Sequence, residues 1–231
     1  MKNSLVVDVI IPAYNEEESI TKVLDEIPKA SVRDIIVCNN GSKDHTKERA
    51  ISHGATVVDE PIAGYGRACL AGIRHIQDKV DPPGVVVFLD GDYSDYPAQL
   101  TELIDPILHQ DIDMVIGSRA LGNLEQGSMM PQQIFGNWLA TSLIRFFYGY
   151  TFTDLGPFRA IRYDKLIELD MQDKDFGWTV EMQVKAAKFG FRCKEVPVNY
   201  RKRIGKSKVS GTIRGTILAG HKILWTIFKL L

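Results

Sequence analysis

Cysteine is scarce in this chain. Cys38, Cys69 and Cys193 are an odd number with no close spacing, so neither a disulfide framework nor a zinc site is indicated, and a reducing cytoplasm fits. No uninterrupted apolar run approaches the roughly 18 residues that a membrane-spanning helix needs. At the start, Lys2 leads into a short apolar run that Asp8 interrupts and Pro12 closes, so no signal peptide is expected. The five histidines are scattered and are assigned no chemistry. A dinucleotide fingerprint is missing: Gly64-Tyr65-Gly66 lies well beyond the first strand, and Gly72 is too far on to complete G-x-G-x-x-G. That argues against a nicotinamide enzyme. Acids, finally, almost vanish near the end. From Lys185 onward there are twelve Lys or Arg and one acid, Glu195, which leaves sixteen of the 28 bases and 28 of the 29 acids to the preceding part. Such an imbalance suggests that the C-terminal part meets something anionic, such as phosphate groups, nucleic acid or a lipid headgroup surface; a merely solvated basic face is the other reading. The tail carries no recognisable recognition module, so no nucleic-acid partner is expected.

What the chain does contain is enough apolar material for a packed α/β core: 231 residues, 45% of them hydrophobic. We expect a main domain over residues 1–210 and a basic amphipathic C-terminal helix over 211–231. Leu5 to Ile11 reads as a first strand stopped by Pro12, and Glu16 to Ile27 as a helix with Ile20, Val23, Leu24 and Ile27 on one side. Asn15 is the expected N-cap, with Glu16, Glu17 and Glu18 in a first turn that favours acids. Strands over Asp34 to Cys38 and Ala55 to Val58 follow, with a helix from about Asp44 to His53 between them. The helix after Gly64-Tyr65-Gly66 runs to about Ile76. Pro97 opens a further helix, and Asp113 to Gly117 is a fifth strand. Strands alternating with helices imply a mainly parallel sheet covered on both faces.

The stretch Val85-Val86-Val87-Phe88-Leu89-Asp90-Gly91-Asp92 is a buried strand that ends abruptly in two carboxylates. Ligands of open α/β sheets bind outside the carboxyl ends of the strands, so Asp90 and Asp92 would face a crevice. Two hard oxygen ligands suit Mg²⁺ or Mn²⁺ bridging to substrate phosphates. An ordinary Asp-Gly-Asp turn is the other reading. The glycines at 64 and 66 would let backbone approach a phosphate, with Arg67 adding charge; a tight turn with a packing glycine is the alternative.

Five short motifs then occur in a telling order: Ile11-Pro12-Ala13-Tyr14-Asn15-Glu16, Asn39-Asn40-Gly41-Ser42-Lys43-Asp44-His45-Thr46, Gly64-Tyr65-Gly66-Arg67-Ala68, Asp90-Gly91-Asp92 and Gly117-Ser118-Arg119. In this order the chain resembles family 2 glycosyltransferases of the GT-A fold. Asp154-Leu155-Gly156-Pro157-Phe158-Arg159-Ala160, Glu181, Glu195-Val196-Pro197-Val198 and Arg203-Ile204-Gly205-Lys206-Ser207-Lys208 look like the dolichyl-phosphate mannose synthase and polyprenyl-phosphate glycosyltransferase branch. The resemblance covers roughly residues 5 to 210. It implies an inverting transfer from a UDP- or GDP-sugar, with Pro12, Tyr14 and Glu16 lining the base and ribose pocket and Asn39 or Asn40 at the base edge. Gly64, Gly66, Arg67 and Gly91 would border the donor. Asp90 and Asp92 would hold the metal on the donor diphosphate. Arg119, and Arg203 to Lys208 with Ser207, would contact donor or acceptor phosphates, and Asp154, Arg159 and Glu181 would serve the acceptor side.

Three departures from the family pattern stand out. Asn39-Asn40 replaces the usual acid pair and leaves the nucleobase open, Gly156-Pro157-Phe158 alters the acceptor loop, and the C-terminal spans common in the branch are absent. A phosphate acceptor is already anionic and needs no general base; a sugar hydroxyl would, with Glu181 or Asp154 as candidates. Pro131 to Tyr148, rich in aromatics, and Thr212 to Leu231, apolar but broken by Arg214, Lys222 and Lys229, are helices that could lie in a membrane interface or pack on the core. We therefore expect a metal-dependent nucleotide-sugar transferase acting on a polyprenyl phosphate, peripheral on the cytoplasmic face of a membrane. A soluble transferase extending a saccharide and a nucleotide-binding scaffold are the alternatives. Sugar, base and oligomeric state are left open.

Overall fold

The computed structural model describes residues 5–205 and 213–231. Seven strands form one sheet: β1 (Val7–Ala13), β2 (Asp34–Asn39), β3 (Thr56–Asp59), β4 (Val85–Phe88), β5 (Met114–Ser118), β6 (Arg159–Arg162) and β7 (Cys193–Pro197). Their spatial order is β3-β2-β1-β4-β6-β5-β7. The pairs β1–β2, β2–β3, β1–β4 and β5–β7 are parallel, and β6 runs antiparallel to both β4 and β5. The expected mainly parallel sheet is observed, with one reversed strand in its middle.

Alternate residues of each strand feed two different cores, because successive side chains point to opposite faces. Val7, Val9 and Ile11 of β1 join Val85 and Val87 of β4 beneath α1 (Ile20–Glu26), α2 (Thr46–Ser52) and α4 (Leu100–His109). Ile10, Ile36, Val86 and Phe88 pack on the other face with α3 (Tyr65–Gln77), α5 (Pro131–Tyr148), α7 (Trp178–Lys188) and the final helix α8 (Ile213–Lys229). The short α6 (Tyr163–Glu168) follows β6 directly. Below the sheet, the fully buried Asp8 carboxylate accepts from Arg33 Nη2 at 2.6 Å and Lys79 Nζ at 2.8 Å, and Lys79 also reaches Asp34 at 2.6 Å.

The boundary of α1 departs from expectation. The helix begins at Ile20, not Glu16, and Asn15 does not cap it. Asn15 takes a left-handed bend (φ 53°) so that its side chain accepts from Lys43 N–H at 2.8 Å and its own N–H donates to Ser42 Oγ at 3.0 Å. A contact across 28 residues overrides the local capping pattern. Pro97 opens a 3₁₀ turn to Gln99 that runs into α4. Among the described residues no helix is long and apolar enough to cross a membrane.

Candidate active site

The order of strands reverses around β1, since β2 and β3 lie on one side of it and β4 on the other. The crevice at such a switch point, outside the carboxyl ends of β1 and β4, is where open α/β sheets bind ligands. There the structure has a cleft of about 360 Å³. From the end of β1 come Pro12, Tyr14 and Glu16, and from the end of β4 Asp90, Gly91 and Asp92. Asn40, Gly64, Tyr65, Phe176 and Arg203 complete most of its wall.

The two aspartates are held in different ways. Tyr65 donates its hydroxyl to Asp90 Oδ1 at 2.9 Å. Burial and then the neighbouring Asp92 push the Asp90 carboxyl up to about 7, against the opposing pull of Tyr65, Arg203 and Arg119. Asp92 turns Oδ1 back to accept from Ser94 N–H at 2.9 Å and Ser94 hydroxyl at 2.5 Å, which leaves Oδ2 facing the cleft. Arg203 fills that position, with Nη1 3.1 Å from Asp92 Oδ2 and Nη2 2.9 Å from Glu16 Oε1. A raised carboxyl beside a second carboxylate, already drawing a guanidinium between them and Glu16, is a site that attracts a cation. Asp90 and Asp92 could hold a divalent ion whose remaining ligands come from phosphate and water. Among the described residues no cluster of three or more carboxylate, imidazole or thiol ligands is assembled, so the donor's own oxygens would have to complete the shell.

Behind this pair the loop is braced by groups that sequence reasoning did not single out. Arg201 donates to the carbonyls of Tyr93 at 2.8 Å and Asp95 at 3.1 Å and to Glu26 at 2.8 Å, and its guanidinium stacks on Tyr93 and Tyr96. Tyr93 is kept at φ 64°, a conformation unfavourable for a bulky side chain. Asp95 is buried, and burial together with Asp90 and Asp92 pushes its carboxyl well above the ordinary range. Arg201 lies 106 and 175 residues from Asp95 and Glu26, a separation no local pattern reveals. Tyr65 lies inside the Gly64-Tyr65-Gly66 motif, whose expected role rests on the glycines alone.

The remaining expected residues separate into those at the cleft and those that support it. Asn40 borders the cleft, but its amide is engaged: Nδ2 donates to the carbonyls of Glu60 and Ile62, and Oδ1 accepts from Gly64 N–H at 2.8 Å. Asn39 donates to Asp59 at 2.8 Å and accepts from Ser42 N–H. Both amides thus shape the loops instead of presenting a free edge. Gly64 and Gly66 are both needed for close packing: a Cβ at Gly66 would lie 2.1 Å from the Asp173 carbonyl oxygen, and one at Gly64, which also borders the cleft, 2.3 Å from that of Lys174. At Gly66 the structure shows the packing-glycine alternative, a close approach to the loop before α7. Arg67 joins that contact by donating its N–H to the Lys174 carbonyl at 3.1 Å.

Among the residues expected to meet donor or acceptor, Asp154 and Arg119 form a two-pronged pair, with Nε and Nη2 each 2.7 Å from a carboxylate oxygen and Arg119 N–H adding a third bond at 2.8 Å. Arg119 also stacks over Tyr200 at 5.0 Å. Arg159, expected on the acceptor side, is instead a structural post. It is fully buried and donates to the carbonyls of Leu155, Gly156 and Thr179, and burial pulls its guanidinium down to about 10. Glu181 is likewise buried; it accepts from the N–H groups of Gln172 and Asp173 and pairs with Lys185 at 2.7 Å. It holds the loop before α7. Ser207 and Lys208 lie outside the described residues.

Comparison with known proteins agrees with this geometry. Residues 8–170 match the family described as "Glycosyl transferase family 2". An uncharacterized glycosyltransferase of Mycobacterium tuberculosis is 37% identical over 217 residues, which span 92% of this chain and 94% of that protein. The undecaprenyl-phosphate mannosyltransferase of Micrococcus luteus is 31% identical, covering 89% and 88% of the two chains, and the dolichyl-phosphate hexose transferase of Haloferax volcanii is 32% identical, covering 87% and 85%. In three dimensions the chain is similar to glucosyl-3-phosphoglycerate synthase of M. tuberculosis, solved with Mn²⁺, UDP-glucose and phosphoglyceric acid, with a TM-score of 0.77 over 99% of this chain and 80% of that one at 22% identity. The fold is that of the GT-A neighbours, and the chain belongs to glycosyl transferase family 2.

Proposed function

We propose that this transferase moves a hexose from a nucleoside diphosphate sugar to the phosphate of a polyprenyl carrier, with inversion at the sugar carbon. The observation that carries the acceptor class is what the two candidate bases do. Asp154 is locked to Arg119 and Glu181 to the backbone of Gln172 and Asp173. Neither is poised to deprotonate a sugar hydroxyl, whereas a phosphate monoester attacks without that help. The relatives named for undecaprenyl and dolichyl phosphate support the same reading.

Each part of the site has a role in that reaction. Pro12, Tyr14 and Glu16 offer a platform for base and ribose at the end of β1. Asp90 and Asp92 would hold Mg²⁺ or Mn²⁺. When bound, such an ion neutralises the departing diphosphate and orients it. Tyr65 and Ser94 fix the two carboxylates beforehand, so little reorganisation is needed at the moment of transfer. Arg203 sits on Asp92 and Glu16 and can turn its guanidinium onto donor or acceptor phosphate once Asp92 has another cation. Arg119, immobilised by Asp154, keeps a fixed positive charge behind the pair. Burial opposes that charge, yet Asp154 raises the Arg119 pKa above its ordinary value, so it stays protonated throughout.

The test is product partitioning. Purified protein, radiolabelled UDP-glucose or GDP-mannose, Mn²⁺ and detergent-dispersed undecaprenyl phosphate should move label into the organic phase with one donor. Label transferred only to water-soluble saccharides or to phosphoglycerate would refute the acceptor.

A further inference from the structure

The side of α8 that turns away from the protein carries large apolar side chains, with the exposed His221 among them. Ile223, Thr226, Ile227 and Leu230 pack inward. Leu218, Trp225 and Phe228 recur at helical spacing on the opposite side, and they are 52%, 57% and 48% exposed. A surface helix normally presents polar residues there. The patch continues onto α5, because Phe147 meets Phe228 edge-on with ring centroids 5.5 Å apart, and Phe146 beside it is 79% exposed. Lys229 and Arg145 are exposed around this patch. The chain from Lys185 onward holds twelve bases against one acid, while the rest is acid-rich. A bilayer carrying anionic headgroups matches both features: it accepts the aromatic rings, attracts the basic rim and repels the acidic remainder.

The inner side of α8 grips a wall of the cleft. Lys222 Nζ lies 3.0 Å from Asp173 Oδ2, and Gly177 is so close to the helix that a Cβ there would be 2.4 Å from Thr226 Oγ1. Asp173 Oδ1 accepts from the N–H groups of Asp175 at 2.8 Å and Gly177 at 3.1 Å, folding 173–177 into a compact turn. Phe176 of this turn lines the cleft, and the carbonyls of Asp173 and Lys174 abut Gly66 and Gly64 at the start of α3. One turn is therefore clamped between α8 and the cleft.

We propose that α8 docks through its apolar face on an anionic bilayer, and that docking steadies the 173–177 turn so that the membrane raises affinity for the nucleotide donor. The proposal takes from the proposed function only that the cleft binds a nucleoside diphosphate. The full chain is sedimented with vesicles of phosphatidylcholine containing about 30% phosphatidylglycerol, and with phosphatidylcholine alone. UDP and GDP with Mn²⁺ are titrated calorimetrically with and without the vesicles. Wild type should prefer the anionic vesicles by about tenfold or more, and its nucleotide Kd should fall about threefold on them. Trp225→Ser/Phe228→Ser should keep the solution Kd and lose both vesicle binding and the gain. Lys222→Met should still sediment with vesicles but lose the gain, since only the Asp173 contact is cut. Wild type that ignores anionic vesicles would overturn the docking, and vesicle binding with an unchanged Kd would overturn the relay. If the double variant instead turns a dimer into a monomer in analytical ultracentrifugation, the face is an interface between copies and the proposal falls. Absence of nucleotide binding in every condition would refute the proposed function and, with it, the relay, while sedimentation would still decide the docking.

Discussion

Metal-dependent nucleotide binding should strengthen steeply between pH 6 and pH 8, because Asp90 must lose a proton to bind a cation. Burial and Asp92 place its carboxyl at about 7. With that midpoint, about a tenth of the molecules carry ionised Asp90 at pH 6 and about nine tenths at pH 8, so the apparent Kd for Mn²⁺ with UDP or GDP should improve about tenfold across the interval. Tyr65 acts on the same proton. Its hydroxyl donates to the ionised carboxylate and so lowers the Asp90 pKa; burial pushes the phenol itself well above its ordinary range, so it remains a donor throughout. Tyr65→Phe should therefore move the midpoint up by about one unit, which weakens binding about fivefold at pH 7 and less at higher pH. Calorimetric titration in a series of buffers measures both effects. A flat profile for wild type, or a midpoint that moves down in Tyr65→Phe, would refute the reasoning.

Other perturbations have equally definite outcomes. Gly66→Ala puts a methyl against the backbone of Asp173 and Lys174 and should cost about 2 kcal/mol in urea denaturation together with weaker nucleotide binding. Gly136→Ala, in α5 with nothing within 4 Å of the new Cβ, should instead stabilise by about 0.5–1 kcal/mol. Asp8→Asn removes the shared partner of Arg33 and Lys79 and should lower stability by about 2 kcal/mol without touching nucleotide affinity. Arg201→Lys keeps the charge but loses the fork that spans Tyr93, Asp95 and Glu26, so kcat/KM should fall about tenfold with only a small drop in Tm.

The parts of this fold legible from sequence are those written in local patterns. The runs that became β1, β2, β4 and β5 are continuous and β-branched because both faces are covered, and α5 spans Pro131–Tyr148 as its proline start and apolar spacing suggest. The carboxylates at the end of β4 announce the crevice because strand ends at a switch point are where ligands sit. β6 was hidden: Arg159–Arg162 is four residues long, begins and ends in arginine, and owes its place between β4 and β5 to pairing across the chain. The acceptor-side expectation for Arg159 fails because a buried, carbonyl-capped guanidinium has the same letter as an exposed one. The same limit applies to Asn15, whose cap-like sequence serves a contact with Lys43, and to the 173–177 turn, whose tie to Lys222 has no trace in the spacing.

Asp90 and Asp92 are expected to build a metal-assisted nucleotide site, and titration of UDP, GDP and their sugar conjugates into wild type and Asp92→Asn, with and without Mn²⁺, decides it. One nucleotide should bind tightly only with the metal, and Asp92→Asn, still folded by circular dichroism, should lose that dependence. Equal affinity in the variant, or binding by wild type that ignores the metal, would contradict it.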